Sequence, residues 1–243
     1  MKSLKQAFAF MTILPIHLNE QLSPGDLGKA SAWYPLVGVF IGGLVWLAKY
    51  GLQLIFPPLL TAVLCVAVWI FLSGGLHLDG LADCFDGMLN SSLPARRLEI
   101  MKDPRLGTFG GLGLLLAVLI KVAAVYSLAP GHDWIAILTA AALGRWMILL
   151  AGKQPLARPG GMGADFALGL TKASFAWAVI LPVVLVILGG WRGLLAAGLA
   201  HLVALGIFGL ARSRLGGVTG DVYGLIVEVT ELVVLLTFAV QIR

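Results

Sequence analysis

The sequence is poor in charge and in cysteine. Asp, Glu, Lys and Arg make up only 12% of its 243 residues, whereas a soluble domain carries about 25%. The two cysteines, Cys65 in an apolar run and Cys84 in a polar segment, exclude a disulfide-rich scaffold. With 59% hydrophobic residues and a mean hydropathy of +0.96, a soluble chain of this size could not cover its apolar surface. The composition also excludes a disordered chain and indicates a polytopic protein of the lipid bilayer.

Long apolar runs recur along the chain at about the 20-residue length that a spanning helix needs. The predicted spans are 30–56, 58–76, 108–129, 134–151, 175–188, 194–210 and 225–240. That makes seven, with a range of six to eight, because Pro182, Gly189 and Gly190 interrupt the fifth region. The sequence therefore predicts an all-α transmembrane bundle in a single domain, 1–243. Residues 1–29 are predicted to form an interfacial segment rather than a cleaved signal, because Pro15 interrupts a short apolar run.

The distribution of Lys and Arg predicts the orientation. With the N-terminus in the cytoplasm, twelve of the 17 basic residues fall on that side, and Lys121 and Arg145 fall inside spans. Only Lys49, Arg192 and Arg243 fall on the other side, which is a strong positive-inside bias. Because the basic residues are scattered among apolar runs, nucleic-acid binding is not expected. The sequence predicts a membrane protein whose polar chemistry faces the cytoplasm.

Three aspartates follow the second predicted span at helical spacing, in the segment HLDGLADCFDG. Asp79, Asp83 and Asp86 stand at i, i+4 and i+7, so they share one helix face. Oxygen-only ligands indicate a hard cation, Mg²⁺ or alternatively Mn²⁺. The competing interpretation is a solvated acidic face on an interfacial helix. His77, about 200° from Asp79 around a helix, is a candidate acid, base or substrate contact.

Further polar segments surround these aspartates in the sequence. Residues 77–107 are predicted to form a cytoplasmic catalytic loop, in which Lys102 and Arg105 hold phosphate oxygens and Asp103 adds a metal ligand. The alternative there is an ordinary basic flank of a span. Ionisable groups near the membrane are functional candidates by default. The candidates of this kind are Arg145, Arg158, Asp221 and Glu228, with Glu231 one turn further and Lys121 equally compatible with a structural ion pair.

At these residues the sequence resembles the cobalamin synthase family, also called adenosylcobinamide-GDP ribazoletransferases. The matching motifs are Phe10-Met11-Thr12 through Pro15, Trp33–Gly38, His77–Gly87, Lys102–Gly110, Gly144-Arg145-Trp146, Ala157–Gly163 and Gly216–Gly224 ahead of Glu228. The resemblance runs nearly end to end, and the combination of the aspartate string with Gly-Asp-Val-Tyr-Gly is specific. Pro104 and Ile13 depart from the family pattern, in which Ser and a basic residue are common.

The resemblance implies a membrane-bound, Mg²⁺-dependent transfer of adenosylcobinamide phosphate from adenosylcobinamide-GDP to α-ribazole or its 5′-phosphate, with release of GMP. The metal is then expected on Asp79, Asp83, Asp86 and Asp103, with one or two ions bound. Expected substrate contacts are Lys102, Arg105, Arg145, Arg158, Asp221, Tyr223 and Glu228, while Asp86 or Glu228 is a candidate proton acceptor. A homo-oligomer or a complex with other cobamide-pathway enzymes is compatible with this function.

Three other functions compete with this one. A CDP-alcohol phosphotransferase-like lipid synthase also carries Asp-Gly motifs at a cytoplasmic membrane face, but its pattern has Ala where this chain has Asp83. A transporter would use intramembrane charges, yet no internal repeat is found. A non-catalytic scaffold for pathway enzymes would bind partners without turnover.

Overall fold

A computed structural model describes residues 2–18 and 21–241, so that Glu20 and Arg243 lie outside the described residues. The described chain is helical, and its only β-type pairing is one isolated parallel bridge between Leu156 and Val218. The helices are α1 Lys2–Met11, α2 Asp26–Ala30, α3 Tyr34–Leu52, α4 Pro58–Leu72, α5 Leu76–Met88, α6 Pro94–Ile100, α7 Thr108–Ser127, α8 Asp133–Ala151, α9 Met162–Gly169, α10 Lys172–Ala178, α11 Ile180–Leu188, α12 Gly190–Leu215 and α13 Gly220–Ala239. The predicted all-α fold class is confirmed.

Five stretches of the described chain are long and apolar enough to cross a membrane: Asp26–Leu52, α7, α8, α12 and α13. Two further pairs pass the same test but are sharply bent. The angle is 91° between α4 and α5, and 92° between α9 and the continuous stretch Lys172–Leu188. The count rises to seven if each bent pair is one span, and seven is the number that the sequence predicts.

The second predicted span is too long, because α4 ends at Leu72 rather than at residue 76. Gly74 and Gly75 follow with φ of 62° and 68°, a left-handed conformation that glycine adopts at no steric cost. These glycines let the chain turn so that α5 leaves at a steep angle to α4. Much of the segment 77–107, predicted as a cytoplasmic catalytic loop between spans, is occupied by α5 and α6, in keeping with the helical spacing of its aspartates.

Pro182 interrupts the helix near the fifth predicted span. The proline has no N–H to donate to the carbonyl of Ala178, four residues earlier, and α10 ends at Ala178. The interruption is a single residue, Val179, between α10 and α11, and Lys172–Leu188 remains one stretch. Gly190 has a φ of 59° and begins α12, so the chain reverses where the two glycines were predicted to break the run.

Helices α8 and α13 form the centre of the bundle. In their apolar windows 78% and 72% of the residues are buried, against 33% for α7 and 28% for α12. Gly42 allows α3 to approach α8 closely, because a Cβ there would lie 3.1 Å from the Cα of Leu138. Small residues of this kind let membrane helices pack backbone to backbone. The less buried helices α7 and α12 present leucine-rich surfaces suited to lipid.

A buried ion network joins α7, α8 and α13. The Nζ of Lys121 donates to Oε2 of Glu228 and to Oε2 of Glu231, at 2.6 Å each. The guanidinium of Arg145 donates to Oε1 of Glu231. All four side chains are at most 5% exposed. Two cations and two carboxylates balance, so the network places no net charge inside the bundle, and each carboxylate has a charged partner.

A second ion pair marks the opposite end of the bundle. Lys49, near the end of α3, donates to Asp133 at the start of α8 over 2.5 Å. The two helices are antiparallel, so that at their other end α3 begins at Tyr34 and α8 ends at Ala151. Because a helix rises 1.5 Å per residue, the two ends are roughly 25 Å apart. The two ends therefore lie on opposite sides of an apolar layer.

Replacing Lys121 by Met should strongly destabilise the protein, because Glu228 then loses its charged partner in a buried setting. Breaking a buried pair in this way costs about 3–5 kcal/mol. Thermal unfolding of the detergent-solubilised protein measures the loss. Arg96→Ala is the control, because it removes an ion pair to Glu99 whose side chains are 67% and 64% exposed and should change nothing measurable. Equal losses in both variants would contradict a structural role for the network.

Candidate active site

Two glycines bring α5 against the beginning of α13. A Cβ on Gly80 would lie 2.7 Å from the carbonyl oxygen of Asp221, and one on Gly224 would lie 2.9 Å from the carbonyl oxygen of His77. Real Cβ atoms essentially never come so close to backbone. The two helices therefore pack backbone to backbone, and the aspartates of α5 are positioned beside the first turn of α13.

Three carboxylates cluster at this contact. Asp83 lies within electrostatic range of Asp221, Asp79 and Asp86, and Asp221 lies within range of Asp79. Asp79 is exposed, whereas Asp83 and Asp221 are half-buried. The hydroxyl of Thr219 donates to Asp221 over 3.1 Å. We refer to Asp79, Asp83 and Asp221 as the acidic cleft. The helical stripe predicted from sequence supplies two of its members, and the third comes from a distant segment that was predicted to contact substrate.

Asp86 has a different environment from the other two aspartates of the stripe. Its Oδ2 accepts a hydrogen bond from the backbone N–H of Gly107, and its Oδ1 accepts one from Gly110, both at 2.8 Å. These N–H groups belong to the start of α7 and have no partner within that helix. Asp86 therefore acts as a cap supplied from another helix, and it fixes the loop before α7 to α5.

That loop forms one wall of an open groove of about 840 Å³. Lys102, Asp103 and Arg105 line it together with Asp79 and Asp83. The Nε and Nη2 of Arg105 donate to Oδ1 and Oδ2 of Asp103 at 2.9 and 2.6 Å. These hydrogen bonds lower the pKa of Asp103 to about 2. The groove thus joins an acidic side to a basic side, as a site for a phosphate ester with a cation requires.

A second, more enclosed cavity of about 230 Å³ lies on the other side of Asp79. Its wall includes Tyr34 from α3, Phe166 from α9 and Tyr223 from α13, and we call it the aromatic cavity. His77 and Arg158 also line it. Tyr34 and Phe166 carry no role in the sequence prediction. No local pattern could have indicated them, because they meet only through the packing of three helices.

The remaining predicted site residues lie deeper. Arg145 and Glu228 belong to the buried ion network and line neither cavity. Arg145, expected as a substrate contact, donates to Glu231 inside the bundle instead. His77 is 3% exposed and lies within electrostatic range of Arg145, Glu231 and Lys121. It therefore stands between the network and the aromatic cavity.

No group of three or more His, Cys, Asp or Glu side chains in the described residues is arranged as a preformed metal site. The donors of the acidic cleft nevertheless fit a hard cation. They are carboxylate oxygens that repel one another, and among the described residues an ion pair places the Nη2 of Arg158 4.0 Å from Asp221. Mg²⁺ sites of phosphate chemistry commonly use one or two carboxylates and complete the shell with substrate phosphates and water.

Fold and site together define a multi-span helical membrane protein with an acidic cleft facing a basic loop. The family model described as "Cobalamin-5-phosphate synthase" matches residues 3–239. The chain therefore belongs to the cobalamin-5-phosphate synthase family, and it is a transferase.

Curated relatives carry the name "Adenosylcobinamide-GDP ribazoletransferase". The relative from Stutzerimonas stutzeri is 40% identical over 97% of both chains. The relative from Ectopseudomonas mendocina is 37% identical over 97% of this chain and 98% of its own, and that from Desulfitobacterium hafniense is 36% identical over 97% and 96%. No solved structure matches the chain.

The cap on α7 predicts opposite outcomes for two adjacent glycines. A Cβ on Gly110 would collide with the Asp86 carboxylate and lie 2.9 Å from the Ala82 carbonyl oxygen, whereas one on Gly111 would meet only Leu106 at 3.8 Å. Gly110→Ala should lower the melting temperature and the activity together, because it displaces the loop that carries Lys102 and Arg105. Gly111→Ala is the matched control and should retain both. Turnover and melting temperature are measured for both variants under the same conditions. If both variants lose turnover, the claim that Asp86 caps α7 and fixes the loop before it is wrong.

Asp103 should not govern the pH dependence of the enzyme. Its folded pKa lies below its unfolded value, so its stabilising pair with Arg105 is present above the unfolded pKa and is lost only as the pH falls toward about 2. We therefore expect Asp103→Asn and the wild type to lose turnover at the same pH on the acid side of the profile, when both are measured between about pH 5 and pH 8. A shifted limb, measured in one buffer series for both proteins, would contradict this assignment.

Proposed function

We propose that the protein transfers the adenosylcobinamide-phosphate group of adenosylcobinamide-GDP to α-ribazole or its 5′-phosphate and releases GMP. The family membership and the names of its relatives support this reaction. The observation that carries the proposal is the position of Asp79. Asp79 is part of the acidic cleft and lines both the open groove and the aromatic cavity, so that a diphosphate and a second substrate could both reach it.

In this proposal Asp79, Asp83 and Asp221 hold Mg²⁺, or Mn²⁺ in its place. When bound, the ion would neutralise charge on the diphosphate and on the departing GMP. The set differs from the one predicted from sequence. Both oxygens of Asp86 already accept backbone hydrogen bonds, and both oxygens of Asp103 accept from Arg105. Neither carboxylate is as available to a cation as Asp221.

Lys102 and Arg105 then bind the diphosphate in the groove. Lys102 is exposed there. Arg105 uses Nε and Nη2 on Asp103, which leaves Nη1 for a phosphate oxygen and holds the planar guanidinium in one orientation. Transfer at a diphosphate depends mainly on positioning and charge neutralisation, and these are the functions that the two side chains provide.

The bond changes balance without any further reactant. A ribose hydroxyl oxygen of the acceptor bonds to the phosphorus on the cobinamide side, and the bond from that phosphorus to the GMP oxygen breaks. The hydroxyl proton passes to a carboxylate of the acidic cleft. Glu228, which the sequence offers as a candidate for this step, is instead occupied by Lys121 inside the bundle, and Asp86 is occupied by two N–H donors.

The location proposed with this reaction is the inner membrane, with the cleft facing the cytoplasm. The basic residues counted on the predicted cytoplasmic side include Lys102, Arg105 and Arg158 of the site. The Lys49–Asp133 pair would then lie at the periplasmic end. Both substrates would reach the groove from the cytoplasm or along the membrane surface.

Asp79→Asn and Asp83→Asn test the reaction and the metal together. Each replaces one charged oxygen by an amide at nearly constant size, so we expect the protein to insert and fold but GMP release to fall roughly 10²–10³-fold, the usual effect of removing a charge-stabilising group. Purified protein is given adenosylcobinamide-GDP, α-ribazole and Mg²⁺, and GMP and the corrinoid product are followed with and without chelator.

Glu99→Gln is the control for this experiment, because it removes an exposed acid outside both cavities. It should retain wild-type turnover. Near-normal rates in both aspartate variants at saturating Mg²⁺ would exclude the acidic cleft as the metal site. Release of CMP from a CDP-alcohol, rather than GMP, would replace the proposed reaction by lipid synthesis.

A further inference from the structure

We infer that the aromatic cavity is the binding site for the acceptor nucleoside, with its flat base against the wall that Tyr34, Phe166 and Tyr223 form and its ribose directed toward Asp79. This inference rests on the proposed function and adds to it the assignment of each cavity to one substrate. The donor, with its diphosphate and its bulky corrin, is assigned to the open groove. The two substrates meet at Asp79, the residue in the acidic cleft that lines both spaces.

The wall of the aromatic cavity is rigid and shaped for a ring. The rings of Tyr34 and Phe166 are stacked at 5.9 Å and 21°, and those of Phe166 and Tyr223 meet edge to face at 5.5 Å and 60°. The hydroxyl of Tyr34 donates to the Leu27 carbonyl at 3.2 Å, and that of Tyr223 donates to the Gly163 carbonyl at 3.3 Å. Since both hydroxyls are engaged, the rings are held in place before any ligand arrives.

Two polar side chains that face this cavity have buried atoms without a partner. Both ring nitrogens of His77 and the Nη1 of Arg158 lack a hydrogen bond within the described chain. Buried polar atoms in folded proteins are nearly always hydrogen-bonded, and an exception calls for an explanation. A ligand with a ring nitrogen, ribose hydroxyls and, in the phosphorylated form, a 5′-phosphate would supply acceptors for Arg158 and a partner for His77.

Size and polarity favour the acceptor over either half of the donor. A cavity of about 230 Å³ is smaller than the 300–1,000 Å³ typical of drug-sized ligands, so it suits a small nucleoside and excludes a corrin. Guanine would bring several polar edge groups against a mostly apolar wall, and unpaired polar groups are costly to bury. The base of α-ribazole is flat and mostly apolar, so it loses little on entering such a wall.

Ala164→Leu tests the assignment by filling the cavity. Ala164 lies on α9 and lines the aromatic cavity, whereas Ala167 lies one turn further on the same helix and does not. Ala164→Leu should raise the KM for α-ribazole at least about tenfold, the usual penalty for a misfitted pocket, while leaving the KM for adenosylcobinamide-GDP unchanged. Ala167→Leu is the matched control and should retain both constants. Melting temperatures of the two variants check that each is folded.

A second variant covers the case in which Ala164→Leu does not fold. Phe166→Leu removes the central ring, and it should raise the KM for α-ribazole and weaken α-ribazole binding measured by calorimetry in the absence of donor. If either folded variant instead raises the KM for adenosylcobinamide-GDP, or leaves both constants at the control value, the assignment is wrong. Failure of the proposed function is a different result, because the wild type would then release no GMP from these substrates.

Discussion

The close contact between α5 and the start of α13 is the constraint on which the site depends. Gly80 and Gly224 leave no room for a side chain between the two backbones, and this absence allows Asp79 and Asp83 to lie beside Asp221. The first turn of α13 also has free N–H groups and the positive end of the helix dipole, which favour negative charge nearby. Larger residues at the two glycines would separate the carboxylates and leave only an acidic stripe on one helix.

Helix α13 carries acidic residues with two distinct functions. Asp221 lies in its first turn, where water and substrate have access, while Glu228 and Glu231 lie two to three turns deeper and are neutralised by Lys121 and Arg145. The deeper pairs fix the rotation of α13 relative to α7 and α8. Because that rotation determines where the side chains of its first turn point, the buried network positions the site without lining it. On this one helix, acidic residues neutralised by buried cations thus serve the structure, while the acidic residue of the first turn belongs to the acidic cleft.

The sequence was sufficient to predict the helical class and the shared face of Asp79 and Asp83, because both follow from the period of one helix. It was not sufficient to predict which carboxylates form the acidic cleft. Asp86 lies on the same stripe but caps α7, and nothing in its spacing distinguishes it from Asp83. Glu228 was a candidate because ionisable groups near the membrane are functional candidates by default, yet its partner is a lysine 107 residues away. The aromatic cavity was also beyond sequence reasoning, since its walls come from α3, α9 and α13 and meet only after the chain has bent before α5 and before α10.

An enclosed cavity next to an open groove also suits the chemistry that we propose. In the proposed reaction, water competes with the ribose hydroxyl for the same phosphorus, and it is present at far higher concentration in a groove that is open to solvent. Holding the acceptor in a pocket behind Asp79 raises the effective concentration of its hydroxyl and keeps water from that side of the phosphorus. The donor needs no such enclosure, because its charge already attracts it to Lys102 and Arg105. The asymmetry between the two cavities therefore follows from the need to favour transfer over hydrolysis.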